Sequence, residues 1–585
     1  MKRQRSYLRT ESRINGSFES DERRTGLARS FDRWPGIRVP VRRRLLLVRS
    51  LPGSTCGAGR RDVRIATLWL SVLIIGPVAG LGIVQAPALG ISGSLSAARI
   101  TSPLDGAVFP RDFAPPTFRW EDESRATHWA VRVDIEGGHT PGLGSSPKPE
   151  YRPTPEAWEE IKRASLQSDV VLTVTGQVGI GEAEQAVSRA SVRLRTSPDP
   201  VDASIFFREV PLPVAFAMDH KTWIRWRVGD VSSSAPPRTV LEKMGTCANC
   251  HSFSRDGKSL AMDLDFAADK GAYAIADVGA DVRIGRPQLI SWNDYQREDG
   301  QATFGMLSTI SPDGRCVANT VKETIVLGCR PDLYCSQLFF PIRGILVVYE
   351  RKERAFRPLP GADDSGFVQT NPVFSPDGLE IVFARAPVGE SPPRALAVEE
   401  GQSPAVVEDF WEGRRKIQYD LYRMPFNGGT GGEPKPLPGA SGNGKSNFFP
   451  RYSPDGKWIV FCQADSMMLN RPDSLLYILP AEGGVARRLR CNAEGRMNSW
   501  HSFSPNGRWL VYASKRAGPM TQMWLTHIDE NGEDSVPVQL EGFVAHDRAA
   551  NLPEFVKLGP GQLQSIQVEK VIRDSGLGLP KRPDR

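Results

Sequence analysis

The feature that most constrains this chain is a phrase that recurs five times in its C-terminal two-thirds. It reads CHSFSRDGKSLAM from Cys250, STISPDGRCVAN from Ser308, NPVFSPDGLEIVFA from Asn371, FPRYSPDGKWIVFC from Phe449 and WHSFSPNGRWLVYA from Trp500. Its serines, Ser254, Ser311, Ser375, Ser453 and Ser504, are spaced by 57, 64, 78 and 51 residues. Each phrase is a strand, a tight turn and a second strand. Pro at the second turn position sets φ, Asp or Asn bonds back to the local backbone, and Gly accepts a positive φ. A third strand follows, as in LLYILPAEGG, and a fourth closes the unit, as in ARRLRCN. Four antiparallel strands repeated around an axis make a β-propeller. Composition agrees: 55 Gly and 47 Pro punctuate a chain of 585 residues with 25 Phe, 13 Trp and 11 Tyr, which suits short strands.

The phrase resembles the blade motif of TolB-like propellers, and the resemblance covers roughly residues 203–572. It implies an all-β fold with six blades. Five are visible, and the strands Ile205–Val210 and Trp223–Val228 are expected to join Leu552–Val556 in a sixth, closing the ring between distant parts of the chain. The spacings exceed ~40–50 residues per blade, so loops are inserted in several units. The turn residues Asp256, Asp313, Asp377, Asp455 and Asn506 read as turn formers rather than ligands.

Residues 99–200 carry short alternating runs separated by turn-rich stretches, with one helical pattern over Pro155–Ser165. They predict a small β-sandwich of the immunoglobulin or fibronectin kind, serving as a spacer or binding module. Residues 573–585 read as a flexible tail.

The net charge of +7 is unevenly spread: residues 1–64 hold 17 Lys+Arg against 6 Asp+Glu, and the rest is mildly acidic. This argues against a nucleic-acid partner and for a basic cytoplasmic leader. No charge occurs from Ile65 to Ala98, and Ile65–Val84 is long enough to cross a bilayer as a helix. A membrane anchor over 65–85 is therefore expected, in the bacterial inner membrane, with the C-terminal domains in the periplasm.

Cys247-Ala248-Asn249-Cys250-His251 is a complete C-x-x-C-H within the first repeat. It resembles a c-type haem attachment site, in which two thiols add to the porphyrin vinyl groups and the imidazole reaches the iron. A disulfide or free dithiol between Cys247 and Cys250, and a metal site, are the alternatives. Three residues before each blade serine stand His251, Ser308, Pro372, Pro450 and His501. Inner strands run the same way in every blade, so these positions are expected around one end of the channel. His501 is then the candidate sixth iron ligand, with Met244 and Met262 competing. The resulting expectation is one covalent haem c in an anchored protein for electron transfer or redox sensing, facing a redox partner. The alternative is a haem-free propeller that binds envelope proteins or polysaccharide. No acid–base constellation points to an enzyme.

Three other patterns carry less. Gly439–Ser446 satisfies G-x-x-x-x-G-K-S, but Pro450 and the repeat impose a strand where a phosphate-binding loop needs a helix. Met262-Asp-Leu-Asp265, with Asp269 beyond, lacks the spacing of a calcium loop and reads as a solvated strand end. Cys329 with Cys335, and Cys462 with Cys491, are candidate disulfides, while Cys56 lies near the membrane.

Overall fold

The computed structural model describes residues 95–135, 142–389 and 404–575. The basic leader, the apolar span Ile65–Val84 and Cys56 lie outside them. Among the described residues no helix is long and apolar enough to cross a membrane.

Each repeat phrase forms the two inner strands of a four-stranded antiparallel blade. In blade 4, Ser446–Tyr452 pairs with Trp458–Ala464, which pairs with Leu475–Pro480 and then Arg487–Arg488. Between the first two strands the turn is closed by its own side chains. Ser453 Oγ donates to Asp455 Oδ1 and accepts from the Trp458 amide, and the same exchange recurs at Ser254, Ser311, Ser375 and Ser504. The phrase therefore recurs because one hydroxyl satisfies the turn in every blade.

The sixth blade draws on strands from before the first repeat phrase and after the last. Ser204–Pro211 pairs on one side with Arg225–Asp230 and on the other with Arg548–Val556, which becomes the innermost strand. The six innermost strands touch in sequence, Ala248–Phe253, Met306–Ile310, Phe367–Phe374, Ser446–Tyr452, Asn498–Phe503 and Arg548–Val556, and the last returns to the first. The last step is held by Glu554, whose Oε1 accepts the Phe253 amide at 2.9 Å. A parallel strand pair, Asp281–Ile284 with Ser565–Val568, then ties the chain end to blade 1.

Blade 1 departs from the repeat in one place, with Arg255 where the other turns have proline. Its amide donates to Pro312 O at 2.9 Å, and its guanidinium reaches Pro376 O at 3.1 Å and Pro454 O at 3.3 Å. One residue thus joins the turns of four blades on that face of the ring.

Residues 96–197 form two facing sheets with the helix Pro155–Ala164 against them. Thr154 caps that helix through Oγ1, and its apolar face buries Trp158 and Ile161. The sheets share a continuous core with blades 5 and 6, including Phe118, Trp158, Leu172, Phe207, Trp509 and Leu525. The contact is also polar: Trp509 Nε1 donates to Asp199 O at 3.1 Å, and His527 Nε2 lies 2.7 Å from Asp199 Oδ2. The strand module is welded to the ring rather than hung from it.

Two expectations need correction here. The seven cysteines among the described residues are all free thiols, so neither candidate pair is joined. Cys462 instead faces Ser499 Oγ at 3.4 Å. Asp263 and Asp265 are not at a solvated strand end: both are buried, Asp263 accepting the Cys250 amide and Asp265 pairing with Lys270. The strand Ser446–Tyr452 directly follows the G-x-x-x-x-G-K-S run, leaving no helix to face a phosphate.

Candidate functional site

Every innermost strand carries one extra residue against its neighbour, a β-bulge at the same level in all six blades. The register shifts fall between Ala248 and His251, Met306 and Thr309, Thr370 and Val373, Phe448 and Arg451, Ser499 and His501, and Asn551 and Glu554. In five blades the bulge holds a non-glycine residue at positive φ: Leu307 (60°), Asn371 (54°), Phe449 (52°), Trp500 (44°) and Leu552 (54°). Each such residue costs of order 1–3 kcal/mol, so the surrounding ring must over-determine it. A bulge re-aims side chains, letting two consecutive residues face the axis. In blade 1 the equivalent position is Cys250, which does not adopt the left-handed conformation.

The bulges enclose a void of about 180 Å³ on the axis, lined from all six innermost strands. Cys250, His251, Ser308 and His501 stand on its wall, together with Arg451, Tyr452, Trp500 and Glu554. Of the five register positions, His251, Ser308 and His501 meet there, while Pro372 and Pro450 do not line it. The wall residues one place earlier in each phrase, Leu307, Asn371, Phe449 and Trp500, were missed in the sequence because their exposure to the axis depends on the bulge. The signal was the matching residue four places before each serine.

His251 is almost wholly buried, its ring edge-on to Phe206 at 4.6 Å between centroids. Neither of its ring nitrogens has a hydrogen-bond partner, and Nε2 lies 3.8 Å from Glu554 Oε2. Burial, with Arg451 and Arg208 nearby, lowers its pKa to about 3, so it stands neutral. Tyr452 Oη and Trp500 Nε1 are likewise buried without partners. Arg451 forms no ion pair among the described residues. The wall thus presents donors that the protein itself does not satisfy.

These walls test the haem expectation. An unpartnered imidazole suits an iron ligand, but a void of about 180 Å³ is below the ~300–1,000 Å³ of pockets that hold drug-sized ligands. Cys247 does not line it, and both thiols sit on or beside a strand, half-buried. The residues do not fit a covalent macrocycle as folded. The contacts of the candidate sixth ligands bear on the same expectation. His501 is already oriented by the protein: its Nε2 donates to Val460 O at 2.9 Å, and its Nδ1 lies 4.0 Å from the Cys462 thiol. Met262 and Met244 are fully buried in the apolar core shared by blades 6 and 1.

Burial also holds protons in this region. It raises Asp263 to about 8 and Glu554 to about 7, and near blade 2 it raises Glu323 to about 7. Between about pH 6.5 and 8.5 the folded chain keeps protons that these groups have lost in the unfolded chain, so stability falls as pH rises. At about 1.4 kcal/mol per unit and group, the expected loss over that interval is about 3 kcal/mol. Thermal melts of wild type and of an Asp263→Asn, Glu554→Gln variant check this: the decline should flatten in the variant.

No protein-family model matches the chain. An uncharacterized protein of Agrobacterium fabrum (Atu1656) is 28% identical over 116 residues, which are 20% of this chain and 34% of that protein, so the match spans about a third of the relative. Among solved structures, TolB from Acinetobacter baumannii is 14% identical at a TM-score of 0.36, covering 66% of this chain and 79% of that one. Oligogalacturonate lyase from Vibrio parahaemolyticus is 15% identical at 0.32, covering 52% and 70%. Hydrazine synthase from Kuenenia stuttgartiensis is 15% identical at 0.30, covering 52% and 71%. The propeller assignment rests on the six four-stranded blades of this chain.

Proposed function

We propose that this protein is an envelope binding scaffold whose propeller channel receives an extended, acceptor-rich segment of a partner protein. The observation that carries the reading is the ring of strained bulges enclosing unsatisfied donors: Tyr452 Oη, Trp500 Nε1 and the unpaired Arg451. Five left-handed residues at one level carry a backbone cost, which core packing of Leu307, Phe449 and Trp500 meets in part and a ligand that accepts hydrogen bonds would offset further. The narrow void admits side chains or a chain end, and Arg451 favours a carboxylate among them. The arginine-flanked apolar span in the sequence supports export across the inner membrane, and with it a partner in the envelope.

A photoreactive residue in place of Tyr452, in the full chain in cells, should give a discrete protein adduct that Arg451→Glu abolishes. The same residue at Val485, which is 89% exposed, should not give that adduct. Equal labelling from both positions would overturn the channel reading. A haem stain after denaturing electrophoresis is expected to be blank. A stained band lost in Cys250→Ala would instead restore the monohaem electron-transfer reading, with blade 1 opening to admit the macrocycle.

A further inference from the structure

The two ends of the propeller channel are built differently. At the end where the inner strands begin, blade 2 departs from the other blades. Its second and third strands, Cys316–Cys329 and Gln337–Glu350, are 14 residues each, against six to eight for the second strands of the other repeat blades. The excess leaves the blade at Lys322, whose φ is 54° and whose Nζ is held by Gln296 O at 3.0 Å, Gln301 O at 3.1 Å and Asp299 at 2.8 Å. The hairpin then crosses the ring. Lys515 of blade 5 donates to Leu333 O and, at 3.1 Å, to Tyr334 O, while Arg496 lies over the Tyr334 ring at 4.9 Å. Cys329 Sγ is 3.9 Å from Met218 Sδ in the blade 6 insertion Val214–Asp219. Blades 2 and 5 stand opposite one another in a ring of six, so a contact between them spans the axis. Beneath it, Val326, Leu338 and Phe340 of the hairpin are fully buried in one apolar core with Leu307, Phe449 and Trp500 of the bulges. Packed side chains stop this end.

The other end faces the turns. Every residue of the void wall lies at its bulge or between the bulge and the turn side of its strand, and none precedes the bulge. The wall reaches Pro454 in the turn of blade 4. Arg255 stands at this mouth, exposed, with its guanidinium on Pro376 O and Pro454 O and no ion pair among the described residues. Asp377, in the same turn as Pro376, commits its Oδ1 to Ser375 Oγ at 2.5 Å and to the Leu379 amide at 3.0 Å. The channel is thus a blind hole of about 180 Å³, which a chain cannot thread. A C-terminal residue suits it better than an internal acidic side chain, because it brings a carboxylate for Arg451 and a backbone carbonyl for Tyr452 Oη or Trp500 Nε1 with only one chain leaving the mouth. We propose that the partner docks on the turn face and seats its C-terminal residue in the blind channel, with Arg255 receiving a second acceptor of the same segment. This rests on the scaffold reading and adds to it the end by which the partner enters and the part of it that enters.

A pooled library of synthetic tetrapeptides with free C-termini, and the same library amidated, passed over the immobilised full chain in detergent and read by mass spectrometry, tests the proposal. Free acids are expected to be retained at least tenfold over amides. Arg255→Gln should reduce that retention several-fold, and Arg255→Pro, which restores the residue of the other turns, should do the same with an unchanged melting temperature. Met218→Cys bridged to Cys329 by a short dithiol reagent fixes the hairpin and should leave retention unchanged. Retention lost on bridging, or untouched in both Arg255 variants, would overturn the turn face as the entrance. Equal retention of acids and amides, or retention of neither, would overturn the chain-end assignment. In each of those cases an Arg451-dependent adduct at position 452 would leave the scaffold reading standing.

Discussion

Ending the chain after Asp547 is expected to abolish the cooperative melt of the propeller. The cut removes Arg548–Val556, which is the innermost strand of blade 6 and pairs with Ser204–Pro211 across seven registered positions. It also removes Glu554, which closes the ring onto Phe253, and Phe555, whose amide donates to Ser502 of blade 5 at 3.1 Å. Blade 6 would lose its axial wall, and the buried Ala549, Ala550, Phe555 and Val556 would leave Phe206 and Phe207 facing water. An open sheet edge facing the axis also invites pairing with other chains. The effect should be on the order of the whole net stability of a domain, about 5–15 kcal/mol. Limited proteolysis and circular dichroism melts measure it, with a chain ended after Ser575 as the control that keeps the wild-type transition. A truncated chain that melts like the control would show that blade 6 closes without this strand.

Replacing Glu209 with Ala should cost about 3–5 kcal/mol, the scale for removing one partner of a buried charge cluster. Glu209 has no solvent exposure, and it stands on Ser204–Pro211 directly opposite Arg225 in the neighbouring strand. Arg225 pairs with its Oε2, and Arg227 reaches Oε1 at 3.0 Å. Without the carboxylate two guanidiniums remain close together at a strand pair that helps close the ring. Glu209→Gln keeps an acceptor of the same shape and should lose less than half as much. Denaturant melts of the two variants decide it: equal losses would mean that side-chain packing rather than charge holds this corner.

Much of the architecture was legible because it is written in short-range chemistry. The Ser-x-Asp/Asn-Gly phrase closes its own turn within six residues, so five blades could be counted from spacing alone. The sixth was legible from apolar alternation at Ile205–Val210, Trp223–Val228 and Leu552–Val556. The candidate site was legible only in part. His251, Ser308 and His501 share a wall because identical strand direction carries identical positions to one level. That the His501 ring is already engaged could not be read locally, since its hydrogen bond goes to Val460, 41 residues away in another blade. Asp263 looked solvated because an acidic residue in an alternating strand normally faces water, whereas both faces of an inner propeller strand are covered. Arg255 looked like a lapse in the repeat and turned out to join four turns.

Sequence by itself determined the strands, the turns and the blade count, because each is decided by neighbours a few residues apart. Only the tertiary structure decided which side chains reach the axis, how small the space between them is, and which end of the channel is closed. Those outcomes depend on a bulge in each inner strand and on contacts such as Glu554 with Phe253, 301 residues apart. No local propensity encodes such a contact. It exists only once the whole ring has closed and the strain at its bulges is held by the strands on either side.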